Sequence, residues 1–129
     1  MMKRIYQAVA PYTDEEIQII MERQLLEELL YLPLSVGMFH QDWRVAQNIC
    51  LRVADHPNAN VRASAVMGLA HTARTKGKLE KRLVKPVVLK ELRENSAFRG
   101  TILDAIEDIN MFMNWRLGRK HLEKGEHDV

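Results

Sequence analysis

The stretch from Asp55 to Ala70 restricts the fold of this chain more than any other, because it combines a helix end, a turn and a helix start. The pair His56-Pro57 is unfavourable inside a helix, since proline lacks an amide N–H and restricts the residue before it. Asn58 and Asn60 suit a turn and a helix N-cap. Small apolar residues then recur at every fourth position, which predicts one buried helix face: Val61, Ala65, Leu69 and Ala73.

A second copy of this pattern lies 37 residues further along the chain. The aligned pairs are Val61-Arg62 with Phe98-Arg99, Ala65 with Ile102, Gly68 with Ala105, and Leu69 with Ile106. A period in the range of roughly 35 to 45 residues is typical of solenoids built from helical hairpins. The sequence therefore predicts a degenerate repeat of two helix pairs.

The turn followed by Val61-Arg62 and an Ala/Leu-rich helix resembles the signature of HEAT repeats. The resemblance implies an all-α fold, a right-handed HEAT-like solenoid of helical hairpins with about five to six helices. In similar proteins the arginine after the turn braces neighbouring repeats, with Asp55 as the expected partner of Arg62. The second copy has no aspartate at that place, so the same brace is in doubt for Arg99.

We expect one domain over residues 1–129, divided into a capping helix over 13–32, a first repeat over 42–75, a second repeat over 79–115 and a polar, frayed tail over 116–129. Thr13 and Glu16 have the spacing of a capping box, which predicts the start of the first helix. We expect that helix to end near Leu32-Pro33, before an apolar connection that reaches Gln41. Asp42 is predicted to cap the next helix, and Gly77 to end the one after it. Pro86 is expected in the first turn of the helix that follows.

Composition places the protein among single-domain chains of the cytoplasm. A length of 129 residues suffices for one buried core. No run of apolar residues is long enough to span a membrane, and the N-terminus does not resemble a cleaved leader. The single cysteine, Cys50, excludes an internal disulfide and is expected to be a buried thiol. Net charge is +2, but residues 43–103 hold twelve bases and four acids, which makes the middle of the chain basic.

The sequence contains no catalytic motif, so we predict a protein that is not an enzyme. The five histidines are scattered, and no His-Glu-x-x-His, paired cysteines or phosphate-binding glycine loop is present. Asp104, Glu107 and Asp108 form an acidic cluster on one predicted helix, but no histidine or cysteine stands at ligand spacing beside them. The alternative is that these three carboxylates form a solvent-exposed face without a catalytic or metal-binding role. We therefore predict no cofactor and no metal.

The second helix of each predicted pair has a buried stripe and an outward row of side chains. In a solenoid these two outward rows would lie side by side on the inner curve. The rows mix methionine and tryptophan with polar and acidic groups, as protein-binding surfaces do. The predicted partner-binding residues are Ser64, Met67, His71, Arg74, Thr101, Asp104, Glu107, Asp108, Met111 and Trp115. The alternative for Met111 and Trp115 is that they only cover the end of the last helix.

The size and repeat plan also resemble those of short bacterial HEAT-like immunity proteins, which neutralise toxins of contact-dependent growth inhibition systems. That resemblance implies a protein that binds a cognate toxin and blocks its active site, without catalysis of its own. A nuclease is the expected class of toxin, because an acidic ledge would imitate phosphate. No membrane partner is expected, and the oligomeric state stays open.

Two alternatives come from other classes of function. The basic 74–85 segment, with Arg74, Lys76, Lys78, Lys81, Arg82 and Lys85, could neutralise a nucleic-acid backbone. Low net charge and few aromatic residues count against that alternative. The chain could also be a general HEAT-like adaptor. A lyase or adaptor for bilin-type cofactors is a further alternative, suggested only by the range of functions in the repeat family.

Overall fold

The computed structural model describes residues 9–119, which form six α-helices and a short 3₁₀ turn and contain no strand. In chain order the helices are α1 (Asp14–Arg23), α2 (Leu26–Phe39), α3 (Trp43–Val53), α4 (Ala59–Lys76), α5 (Lys81–Glu94) and α6 (Arg99–Met113), and the 3₁₀ turn spans Ser96–Phe98. The predicted all-α class is confirmed. The right-handed HEAT-like solenoid remains a prediction.

Helix α4 lies at the centre of the molecule and packs against α2, α3, α5 and α6. Its predicted stripe from Val61 to Ala73 is fully buried at all four positions. Asn58 caps the helix as predicted, because its side chain accepts hydrogen bonds from the amides of Asn60 and Val61 at 2.8 and 3.1 Å. Gly77 ends the helix in the left-handed conformation, with a φ of 63°. Local signals therefore set both ends of the central helix.

Two glycines allow the backbones of α2 and α4 to come into direct contact. A Cβ atom at Gly37 would overlap the carbonyl oxygen of Gly68. A Cβ atom at Gly68 would lie 2.6 Å from both the Cys50 Sγ and the Pro33 carbonyl oxygen. The Thr75 hydroxyl donates a hydrogen bond to the Gly37 carbonyl at 2.8 Å. Because Pro33 lies beside Gly68 and Gly37 beside Thr75, the two helices run in the same direction.

The prediction of one helix over residues 13–32 is wrong, because the helix is interrupted between α1 and α2. Gln24 has a φ of 58°, and its side-chain amide donates to the Met21 carbonyl at 2.6 Å. Arg23 and Glu28 form an ion pair across the break. The sequence does not indicate this interruption. Glutamine rarely adopts the left-handed conformation, and the apolar stripe continues beyond Gln24. The predicted capping box of Thr13 and Glu16 is confirmed.

The predicted connection from Pro33 to Gln41 is also wrong, because α2 continues through Pro33 to Phe39. Proline removes one backbone hydrogen bond from a helix. Here that loss is offset by burial, since Leu32 and Val36 are 0 and 2% exposed and occupy the core. The apolar residues that made this segment look like a packed loop are therefore positions of a buried helix.

The second helix pair, α5 and α6, repeats the burial pattern of the first. Ile102 and Ile106 are fully buried, like the aligned Ala65 and Leu69. Pro86 is the sixth residue of α5, so its predicted place in the first turn is wrong. Beyond α6, Leu117 is only 3% exposed, so the predicted tail begins with a packed turn over 116–119. The rest of that tail, residues 120–129, lies outside the described residues.

Arg62 links the turn of the first pair to α5. Its Nη1 donates to the carbonyls of His56 and Pro57 at 3.0 and 2.7 Å, and its Nε lies 3.1 Å from the Glu91 Oε1. The expected partner Asp55 is thus replaced by a carboxylate of the next helix pair. Asn95 also donates to the Glu91 carboxylate, at 3.1 Å. In the second copy, Arg99 donates to a backbone carbonyl of its own turn, that of Leu92, at 2.8 Å.

Candidate functional site

A groove of about 330 Å³ lies between α4 and α6. Its α4 wall is formed by Met67, Ala70 and His71, and its α6 wall by Thr101, Asp104, Ala105 and Asp108. The alanines leave room between the two helices because their side chains are short. The lining combines polar side chains with one methionine and two alanines, a mixture typical of binding sites.

The α6 wall carries negative charge. Asp104 and Asp108 are one helical turn apart and therefore lie on the same face of α6. Asp104 is exposed and Asp108 is half-buried. Glu107, which the sequence groups with them, is exposed but does not line the groove. The structure therefore places two of the three acidic side chains where one bound group could contact both.

His71 is the titratable side chain of the α4 wall. Its Nδ1 lies 2.7 Å from the Nη2 of Arg74. Because a guanidinium can only donate, the Nδ1 accepts this bond, and the proton of the neutral ring lies on Nε2. Burial lowers the pKa of His71, the charge of Arg74 lowers it further, and Asp108 opposes the shift. His71 therefore lines the groove as a neutral imidazole that carries its ring proton on Nε2.

Exposed apolar side chains continue the α6 wall beyond the acidic pair. Met111 is 67% exposed, more than any other large hydrophobic side chain in the described part of the chain. It follows Asp104 and Asp108 on the same helix face, because the spacings of four and three residues are those of helix neighbours. Phe112 beside it is 42% exposed. The groove thus opens next to an apolar surface.

The structure brings five of the ten predicted partner-binding residues into the groove: Met67, His71, Thr101, Asp104 and Asp108. Arg74 contacts the groove through His71, and Met111 lies at its end. The outward position predicted for Ser64 is wrong, because this side chain is only 7% exposed within α4. Trp115 faces another part of the molecule, with its ring 5.6 Å from the Lys81 ammonium.

Sequence reasoning missed Ala70 and Ala105, which line the base of the groove. Neither was among the predicted partner-binding residues, since alanine gives no signal that distinguishes a core position from a groove. Their spacing offers a usable sign, because Ala70 follows Met67 by three residues and Ala105 follows Thr101 by four, so each shares a helix face with a predicted site residue. Small residues at such places leave space between two packed helices.

The basic 74–85 segment does not form one surface. Arg74 bonds to His71 at the groove, whereas Lys81 and Lys85 line a separate crevice with Arg116 and Arg119. Lys76 and Lys78 are exposed at the end of α4 and in the link to α5. Arg74 is therefore separated from the crevice that Lys81 and Lys85 share.

Within residues 9–119, no three histidine, cysteine or acidic side chains come close enough together to hold a metal ion. Over the same residues, every helix is too short or too polar to cross a membrane.

Comparisons with known proteins find likeness at the level of structure. No protein-family model matches the sequence, and no curated protein matches it. Among solved structures, the chain is similar to one from the crystal structure of a CDI complex from Cupriavidus taiwanensis. The TM-score is 0.71, the sequences are 25% identical, and the match covers 87% of this chain and 98% of that chain. The whole of that chain therefore corresponds to most of this one.

Proposed function

We propose that this protein is an immunity protein of a contact-dependent growth inhibition system, which binds a cognate toxin and blocks its active site. The observation that carries this proposal is the similarity to a chain of a CDI complex over nearly the full length of both chains. In this proposal the protein is a HEAT-like scaffold of the cytoplasm and has no catalytic activity of its own.

The α4–α6 groove is the proposed contact surface. Asp104 and Asp108 give it negative charge, and Met67 and Met111 supply apolar contact area. Toxins that cleave nucleic acids hold phosphates with lysine and arginine side chains. A basic side chain of such a toxin would fit between the two carboxylates, with its methylene groups against Ala70 and Ala105. The acidic groove would then occupy the phosphate-binding groups of the toxin.

The two helix pairs would hold this groove in one geometry. Arg62 and Glu91 tie the first turn to α5, and the backbone contact of Gly37 with Gly68 fixes α2 against α4. A preorganised surface binds more tightly, because less conformational freedom is lost when the partner docks. The rigid scaffold therefore supports a role as a tight inhibitor.

A growth experiment tests the proposal. The toxin encoded beside this chain is expressed from an inducible promoter, with and without this protein, and a CDI toxin from another system serves as the control. We expect growth to be restored only for the neighbouring toxin, and the two proteins to co-purify. Failure to protect against that toxin would contradict the proposal. So would growth arrest by this chain alone, which would make it the toxic component.

A further inference from the structure

A second crevice of about 320 Å³ lies on another part of the molecule, between α5 and the turn that follows α6. Lys81 and Lys85 border it from α5, and Arg116 and Arg119 border it from the turn. Its apolar lining comes from Leu89 and Leu117. Four cationic side chains therefore surround one small concave site.

The turn that carries the arginines is held firmly in place. The Asn110 side chain donates to the Leu117 carbonyl at 3.0 Å and accepts from the Leu117 amide at 2.8 Å. Leu117 is buried, and Gly118 has a φ of 65°. A Cβ atom at Gly118 would lie 3.1 Å from the Leu92 Cδ2, so the turn packs closely on α5. The backbone on both sides of the crevice is therefore fixed before any ligand arrives.

Among the described residues, three of the cationic side chains that border the crevice have no carboxylate partner. These are Lys81, Lys85 and Arg116, none of which forms an ion pair with a carboxylate of residues 9–119. The contact that orients the Lys81 ammonium is the Trp115 ring, 5.6 Å away, which leaves its charge in place. Cations crowded in this way repel one another, and an anion that contacts several of them relieves the repulsion.

We propose that this crevice binds a compact polyphosphate group, such as the diphosphate of a nucleotide. Each phosphate group brings up to about two negative charges and several acceptor oxygens. Arginine offers a planar fork of donors to such oxygens, and lysine offers a point charge. The small volume suits a compact ligand. A single-stranded nucleic acid requires a groove that follows several nucleotides.

Trp115 provides a direct readout of binding, because its ring contacts Lys81. The chain has two tryptophans, so a Trp43→Phe variant leaves Trp115 as the reporter. In this background, pyrophosphate and ADP are titrated and followed by tryptophan fluorescence, with calorimetry as a second measurement. We expect a saturable change in the fluorescence of Trp115 and weaker binding at high salt.

Matched charge reversals test the location of the site. Lys85→Glu and Arg116→Glu should each weaken pyrophosphate binding by about tenfold or more, because each removes a charge-assisted contact. Lys90→Glu is the control, since Lys90 is exposed on α5 but does not line the crevice. Circular dichroism verifies that the variants are folded. Absence of saturable binding by both measurements would overturn the proposal, as would equal loss in the Lys90→Glu variant. Binding of single-stranded RNA without binding of pyrophosphate would also overturn it.

Discussion

Glu91 is a buried carboxylate that forms an ion pair with the Arg62 guanidinium. Its side chain is 3% exposed, against 20% for Arg62, and it also accepts from Asn95. Glu91→Ala should lower the free energy of unfolding by about 3 kcal/mol, because it leaves the Arg62 guanidinium unpaired in a largely dry site. Urea denaturation measures the loss. Glu94→Ala, an exposed carboxylate on the same helix, should change stability by no more than about 0.5 kcal/mol.

A double variant separates the unpaired charge from the lost packing. Arg62→Met with Glu91→Leu replaces both ends of the pair by apolar side chains, which is often tolerated at buried sites. We expect the double variant to be more stable than Glu91→Ala alone. A double variant less stable than Glu91→Ala would show that losing the carbonyl contacts of Arg62 costs more than leaving its charge unpaired.

His71 should make stability depend on pH. Its pKa is lowered in the folded protein, mainly by burial, so the unfolded chain binds the proton more readily. The free energy of unfolding should therefore fall as the pH drops below about 6.5, the ordinary value for histidine, towards the lowered pKa. Urea denaturation between pH 7.5 and 5.5 should show a smaller fall for His71→Gln than for the unchanged protein. Parallel curves for the two proteins would contradict this role of His71.

At the scale of the helices, the contact between α2 and α4 depends on two residues without side chains. Gly37→Ala and Gly68→Ala should each lower the free energy of unfolding by about 1–3 kcal/mol or more, since the added Cβ meets backbone atoms. Gly100→Ala is the control, because nothing lies near its Cβ position and it is inside α6. That change should stabilise the protein by up to about 1 kcal/mol. Thermal or urea unfolding would contradict this account if all three variants behaved alike.

Helices with matching local signals could be predicted from the sequence, and others could not. Helix α4 has the predicted position, because three local signals indicate the same helix: the N-cap Asn58, the buried stripe from Val61 and the terminal Gly77. The break at Gln24 gives no such signal. Pro33 gives a misleading one, because tertiary burial of α2 outweighs the backbone hydrogen bond that proline removes. Local rules therefore fail where packing between helices decides the outcome.

The residues of the candidate site were also predictable only in part. Helical spacing placed Asp104, Asp108 and Met67 on facing surfaces, because residues three or four apart share a helix face. It could not separate Glu107 from its neighbours, or recognise that Ser64 is buried. Trp115 lies beyond the end of α6, where the helical period no longer gives a direction. Positions inside one helix could be predicted, whereas those that depend on a neighbouring element could not.

For the molecule as a whole, two sites of opposite charge lie on different helices. The α4–α6 groove carries two carboxylates, and the crevice beside α5 carries four cations. Opposite charge on separate surfaces favours partners of different chemistry, since like charges would be repelled from each site. In the proposed role the acidic groove binds the toxin. The basic crevice is left for a phosphate ligand and is not required for neutralisation.

Calorimetric titration of the purified cognate toxin domain into this protein tests the central claim most directly. The Asp104→Asn/Asp108→Asn double variant should bind at least about tenfold more weakly than the unchanged protein, because a basic side chain of the toxin would lose both charged partners. Glu107→Gln, which removes the same kind of charge outside the groove, should bind as the unchanged protein does. Equal affinity of all three proteins for the toxin, or no binding by any of them, would contradict the account.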